Sequence, residues 1–151
     1  VTADADTDAP SVFTDTDAPS VFTDAERAYL LSQKVARLGT ASVTGRPDVA
    51  AVRFRLVGDV IDIGGRVNPA TYKWHNVVNN PRASVTFDDI ASEDPWVVRG
   101  IKIFGRAEAV EREGTTGRIL VHPEVIWSWN VNEGAPTYFA DMIEKRVVHP
   151  R

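Results

Sequence analysis

Residues 61–89 read IDIGGRVNPATYKWHNVVNNPRASVTFDD. Two β-branched segments, Ile61–Ile63 and Ala83–Phe87, stand at its ends, and neither continues through the middle. Gly64 and Gly65 break the first. Asn68 then caps a short helix, with Pro69 at the first helical position, where its missing N–H costs nothing. The run NNPR, 79–82, ends that helix. A strand, a short helix and a return strand in so few residues suit a sheet with a small appended helix.

The flanks extend this pattern. Upstream, VARLGTASV (35–43) and DVAAVRFRLV (48–57) read as strands joined by the turn TGRP. A tight turn at Gly58–Asp59 leads into VIDIGG. Downstream come ASVTFDDI (83–90), a loop ASEDPW (91–96), and the long strand VVRGIKIFGRAEAV (97–110). A glycine-rich loop, 114–117, precedes RILVHPEVIWSWNV (118–131). PTYFADMIEKR (136–146) reads as a final helix, followed by a strand-like tail VVHPR. About six or seven strands, about three helices and no parallel βαβ unit predict a mainly β fold, a barrel or sandwich with added helices.

The nonapeptide DTDAPSVFT occurs twice in tandem, at 6–14 and 15–23. Two copies of nine residues are too few and too short for a repeat architecture. After the second copy, Thr23 and Glu26 form a T-x-x-E capping box, so Thr23 starts a helix running to about Val35. After the first copy, Pro19 and Ser20 stop any helix. Residues 1–21 are therefore expected to be an acidic duplicated leader, and 22–151 the folded domain.

The chain has 151 residues and a net charge of −4. Seven acids and no Lys or Arg lie in residues 1–26, which leaves 17 basic against 14 acidic residues beyond them. A mildly basic body suits a small anionic ligand and is too weak for nucleic acid. With no cysteine, disulfides, thiolate catalysis and iron–sulfur sites are excluded. No apolar run reaches the length of a membrane span, and no basic-then-apolar leader is present, so a cytoplasmic location is expected. The three histidines lie far apart, and no metal site is expected. Dinucleotide, Walker, G-x-S-x-G and H-E-x-x-H motifs are all missing.

What remains is a basic segment. Arg46, Arg53, Arg55, Arg66, Lys73 and Arg82 lie within 46–82. Arg53 and Arg55, two apart on one strand, share a face. They are either both in water or both in a polar cleft. Arg66 follows a glycine pair that lets a ligand approach the backbone. Lys73 sits on the short helix, whose free N-terminal amides suit phosphate.

IDIGGRVNPATYKWHNVVNNPRASVTFDD, DPWVVRGIKIFGRAEAV and HPEVIWSW together resemble the split-barrel flavin-binding superfamily that includes pyridoxamine 5′-phosphate oxidase. The nearer resemblance is to its branch using the deazaflavin coenzyme F420. It spans about Phe22 to Val131. It implies an antiparallel split β-barrel and a homodimer with two cofactor sites between subunits. By the resemblance, Ala50, Ala51, Val52 and Arg53 flank the cofactor ring, and Gly65, Arg66, Thr71, Tyr72 and Lys73 bind its phosphate arm. Some relatives carry an arginine where this chain has Thr71, so the site has one positive charge fewer. Asn76 is expected to shape the helix.

The implied activity is hydride transfer from reduced deazaflavin to a conjugated C=C or enone. Some members of the branch carry out such a reduction late in tetracycline-type polyketide assembly. Arg55 is the candidate catalytic residue, stabilising charge on the acceptor carbonyl. Trp127 and Trp129, two apart on one strand face, and Tyr138 are candidate contacts for a flat aromatic substrate, although tryptophans are more often packing anchors. Two alternatives stay open: an FMN-dependent oxidoreductase on the same scaffold, and a non-catalytic flavin-binding protein.

Overall fold

The computed structural model describes residues 19–111, 116–132 and 143–148. Helix α1 (Asp24–Ser32) is followed by β1 (Ala36–Ala41), β2 (Pro47–Val52), β3 (Phe54–Val57) and β4 (Val60–Gly64). A 3-10 turn (Asn68–Ala70) and α2 (Tyr72–Asn79) lead to β5 (Arg82–Glu93), β6 (Trp96–Val110), β7 (Arg118–Trp129) and β8 (Ile143–Val147). All pairings are antiparallel.

The hydrogen-bonded order is β2-β1-β5-β6-β7-β4-β3, with β8 also on β7. The outermost strands, β2 and β3, are consecutive in the chain, with only Arg53 between them. One bent strand therefore joins both ends of the sheet, and the sheet curls into a split barrel. The opening falls at Arg53. Strand β7 serves three neighbours: β6 along its length, β4 at Arg118–Val121 and β8 at Val125–Trp129.

Alternation decides what faces inward. Ile61 and Ile63, Val85 and Phe87, Ile101 and Ile103, and Ile119 and Val121 are fully buried and fill the barrel. Each such side chain contributes roughly 1.5–3 kcal/mol by leaving water. Leu30 and Tyr29 of α1 close one side, and Trp74 and Val77 of α2 add to the same core. Phe54 meets Phe87 edge-on at 4.7 Å. That contact pins the bent strand from inside and leaves Arg53 and Arg55 on the outer face.

Thr23 and Glu26 form the expected reciprocal capping box. Helix α1 stops at Ser32, short of Val35, where the amide of Gln33 turns back to the carbonyl of Leu30. The second cap differs from expectation. Thr71, not Asn68, caps α2, accepting from the Trp74 amide at 3.4 Å. Asn68 is buried and donates to the carbonyls of Ile63 (3.4 Å) and Gly117 (3.1 Å), bracing the end of β4 against the start of β7. The expected loop 91–96 is a tight turn, because β5 runs to Glu93 and β6 begins at Trp96. The expected 48–57 strand is divided at Arg53.

The expected final helix is overturned where it can be seen. Ile143–Val147 is a strand, because the free edge of β7 offers a ladder of backbone partners. Residues 136–142 of that expected helix lie outside the described residues. Arg146 of β8 also donates to both oxygens of the buried Glu26, at 2.9 and 2.6 Å, and to the carbonyl of Val21 at 3.0 Å. The body therefore holds the chain from Ser20 onward: Ser20 and Val21 donate to Asp59, and Phe22 is buried.

Candidate functional site: a cationic cleft at the barrel opening

The break between β2 and β3 opens a cleft of about 650 Å³. Ala51 to Arg55 form one wall, Gly64 to Arg66 another, and Lys73 of α2 and Arg118 of β7 complete it. Along the bent strand, Ala51, Arg53 and Arg55 are exposed while Val52 is buried and Phe54 half-buried. The two arginines thus share an outer face, and that face is the cleft wall. The volume lies within the roughly 300–1,000 Å³ typical of small-molecule sites.

Five cations face this space: Arg53, Arg55, Arg66, Lys73 and Arg118. Their counter-charge is Asp62, on β4, whose side chain is only 9% exposed. Its Oδ2 accepts from Arg55 at 2.8 Å and its Oδ1 from Arg118 at 2.6 Å. Burial alone would raise the Asp62 pKa, but the hydrogen bonds from Arg118 and then Arg55 outweigh it and hold the carboxyl below its usual range. Asp62 is therefore ionised at neutral pH, and the cleft keeps a surplus of positive charge.

Two glycines make room. A Cβ at Gly64 would run into the Arg118 guanidinium, and one at Gly65 would run into the Asn68 side-chain oxygen. That Asn68 oxygen is the one buried side-chain polar atom without a partner among the described residues. Gly64 and Gly65 line the cleft, and the room their missing side chains leave is taken by the Arg118 guanidinium and the Asn68 side chain.

The cleft brings together Ala51, Val52, Arg53, Arg55, Gly65, Arg66 and Lys73. It does not include Ala50, which packs against the core. Thr71 spends its hydroxyl on helix α2, accepting from the Trp74 amide and donating to the Asn68 carbonyl at 2.7 Å. Tyr72 is 72% exposed and points to a second, smaller pocket, with the Arg46 guanidinium 5.7 Å from its ring centre. Asn76 ties α2 to β1 through Thr40 at 3.0 Å. Trp127 stands on the outer face of β7, edge-on to Phe104 at 4.5 Å, with the ammonium groups of Lys102 and Lys145 4.4 and 5.4 Å from its ring centre. Trp129 shares that face and lies against Gly100. Neither tryptophan lines the cleft, and Tyr138 lies outside the described residues.

Arg118 and Asp62 were not foreseen. Finding Arg118 needs the pairing of β4 with β7, which sets Gly64 opposite it. The visible signal was an arginine opening a strand just after a glycine. Asp62, an acid between two buried isoleucines in IDI, was the sharper clue. An ionised carboxylate at a buried position calls for cationic partners.

Residues 22–124 match the pyridoxamine 5′-phosphate oxidase family. The chain belongs to that family. Over 115 residues it is 34% identical to a 5a,11a-dehydrotetracycline/5a,11a-dehydrooxytetracycline reductase of Streptomyces rimosus subsp. rimosus, covering 70% of this chain and 81% of the relative. Solved structures share the fold at lower identity. A heme binding protein from Mycobacterium smegmatis superposes with a TM-score of 0.63 at 17% identity, over 83% of this chain and 58% of the other. A conserved hypothetical protein from Mycobacterium tuberculosis gives 0.62 at 20% identity, over 82% and 94%. An FAD-binding protein from Mesorhizobium loti gives 0.55 at 16% identity, over 66% and 86%.

Proposed function

We propose that the chain is an oxidoreductase that uses reduced coenzyme F420 to reduce a conjugated C=C of a small, flat organic substrate. The convergence of five cations on a glycine-lined cleft of about 650 Å³ carries this reading. The 34% identical reductase supports it and suggests a tetracycline-type polyketide as substrate. Among the described residues, no helix is long and apolar enough to cross a membrane. A cytoplasmic site of action, where reduced coenzymes are regenerated, goes with the proposal.

The residues present fit the coenzyme. Arg66 and Lys73 would hold its phosphate arm by charge-assisted hydrogen bonds. Ala51, Val52 and Arg53, which line the cleft, would flank its ring. When bound, the coenzyme supplies a hydride for addition to an electrophilic carbon. The protein's part is to hold donor and acceptor carbons near contact and in line. Arg55, held by Asp62, would stabilise negative charge developing on the acceptor carbonyl.

The resemblance also carries a homodimer. Phe104 and Val147 are 44% and 64% exposed on the outer sheet face that bears Trp127, a surface suited to burial by a second copy. Trp127 and Trp129 lie off the cleft of their own protomer. Their proposed role in substrate binding therefore runs through that pairing.

The test follows reoxidation of reduced F420 by the purified chain with 5a,11a-dehydrotetracycline as acceptor, beside an arm with reduced FMN. Acceptor-dependent turnover with F420 alone supports the proposal. Turnover with FMN alone assigns the scaffold to the flavin reading, and binding without turnover in either arm makes it a carrier.

A further inference from the structure

Arg118 is a partly buried cation with donors to spare. Its side chain is 24% exposed, and its Nε is committed to Asp62. Among the described residues, its two terminal nitrogens donate to nothing. Gly64 provides the space in which the guanidinium lies. Asp62 sits opposite Arg55 on β3 and opposite Leu120 on β7, two residues along from Arg118. Period-two geometry puts all three side chains on the outer face. One carboxylate thus spends both oxygens orienting two guanidiniums, and both guanidiniums still line the cleft.

Removing a charged donor from water without giving it a partner is unfavourable. A surface salt-bridge network has no need of a glycine that clears room for a guanidinium beside an open cleft. A planar guanidinium with free N–H groups is instead suited to two oxygens of one anion.

We propose that Arg55 and Arg118, aligned by Asp62, form a two-guanidinium seat for an oxyanion, with Arg118 as a binding residue and Asp62 as its positioning residue. The seat faces the cleft from β3 and β7, whereas Arg66 and Lys73 approach from the β4–α2 side. The ligand group is a phosphoryl or a carboxylate. This inference rests on the reading of the cleft as the ligand site, but its test uses simple anions and needs no coenzyme, so the two can fail separately.

The experiment treats the full chain with phenylglyoxal and maps modified arginines by peptide mass, with and without inorganic pyrophosphate or citrate. Calorimetric titration of the same anions is run on wild type, R118Q, R118K and D62N. Slower modification of Arg118 by at least one anion is expected. R118Q should weaken that anion about tenfold, and R118K several-fold, because an ammonium cannot span two oxygens. D62N is the discriminating variant. It removes a negative charge, so bulk electrostatics alone predicts tighter binding, whereas loss of alignment predicts weaker binding. Protection by pyrophosphate alone supports the seat as a phosphoryl site, and protection by citrate alone supports it as a carboxylate site. Equal modification of Arg118 with and without saturating anion overturns the proposal, as does undiminished anion affinity in R118Q. Tighter binding by D62N removes Asp62 from its assigned role. If D62N does not fold by circular dichroism, R118Q and the protection assay still decide.

Discussion

Replacing Arg146 with methionine should expose how the chain ends are held together. Methionine keeps most of the aliphatic stem but deletes three hydrogen bonds: two to Glu26, at 2.9 and 2.6 Å, and one to the Val21 carbonyl at 3.0 Å. Glu26 is 1% exposed, so its carboxylate would be left in the interior without its cation. Breaking a buried pair on one side costs ~3–5 kcal/mol. Glu26 keeps the Thr23 amide at 2.9 Å, and Arg146 is itself 31% exposed. Both facts place the loss toward ~2–4 kcal/mol. For a chain of this length that is a drop in Tm of roughly 5–15 °C.

The pH dependence adds a second handle. Burial pushes the Glu26 pKa up, but Arg146, the Thr23 amide and Ser128 together bring it below its ordinary value. A lowered folded pKa contributes stability above the unfolded pKa of about 4.3, and that stability is lost as pH falls through the folded pKa. In R146M the burial is less opposed, so Glu26 should take up a proton more readily. The gap between R146M and wild type should therefore narrow between about pH 7 and about pH 4.5. Urea unfolding at both pH values measures it, and E26Q/R146M should recover part of the loss at neutral pH. A loss below about 1 kcal/mol at pH 7, or an equal loss at both pH values, would show that Arg146 does not offset the burial of the Glu26 carboxylate.

Thr71→Ala removes the α2 cap and should cost about 1 kcal/mol, read by thermal melts. The tilt of α2 should also loosen Lys73 in the cleft, seen as a modest fall in cofactor affinity. Arg55→Ala should lower turnover more than cofactor affinity, since its proposed role is in charge stabilisation during reduction. Unchanged turnover in that variant would remove it from the mechanism. Asn76→Ala breaks the Thr40 tether between α2 and β1 and should cost about 0.5–1.5 kcal/mol without altering the cleft chemistry.

The sheet was legible because its strands alternate. Ile61/Ile63, Ile101/Ile103 and Ile119/Val121 announce inward faces through local spacing alone. The Thr23–Glu26 box was legible because its two partners sit three residues apart. Misreadings arose where a distant partner decided. Residues 143–146 carry a helix-compatible pattern, and only the free edge of β7 makes them a strand. Asn68-Pro69 resembles a cap, but tertiary carbonyls from β4 and from Gly117 claim the Asn68 side chain, so Thr71 takes over. In the cleft, Arg53, Arg55, Arg66 and Lys73 were visible as a cluster along the chain, whereas Arg118 arrives from a strand more than forty residues later. The pairing of Asp62 with two arginines is a product of register, which no short motif encodes.

On the proposed function, the cationic cleft grips the anionic arm of a deazaflavin. Fluorescence titration of the purified chain with F420 and with FMN tests it most directly, alongside Lys73→Ala and Arg66→Ala. F420 should saturate one site per protomer at lower concentration than FMN, and each substitution should weaken it about tenfold, roughly 1.4 kcal/mol. Tighter binding of FMN, or F420 binding that neither substitution disturbs, would show that this cleft does not hold the deazaflavin.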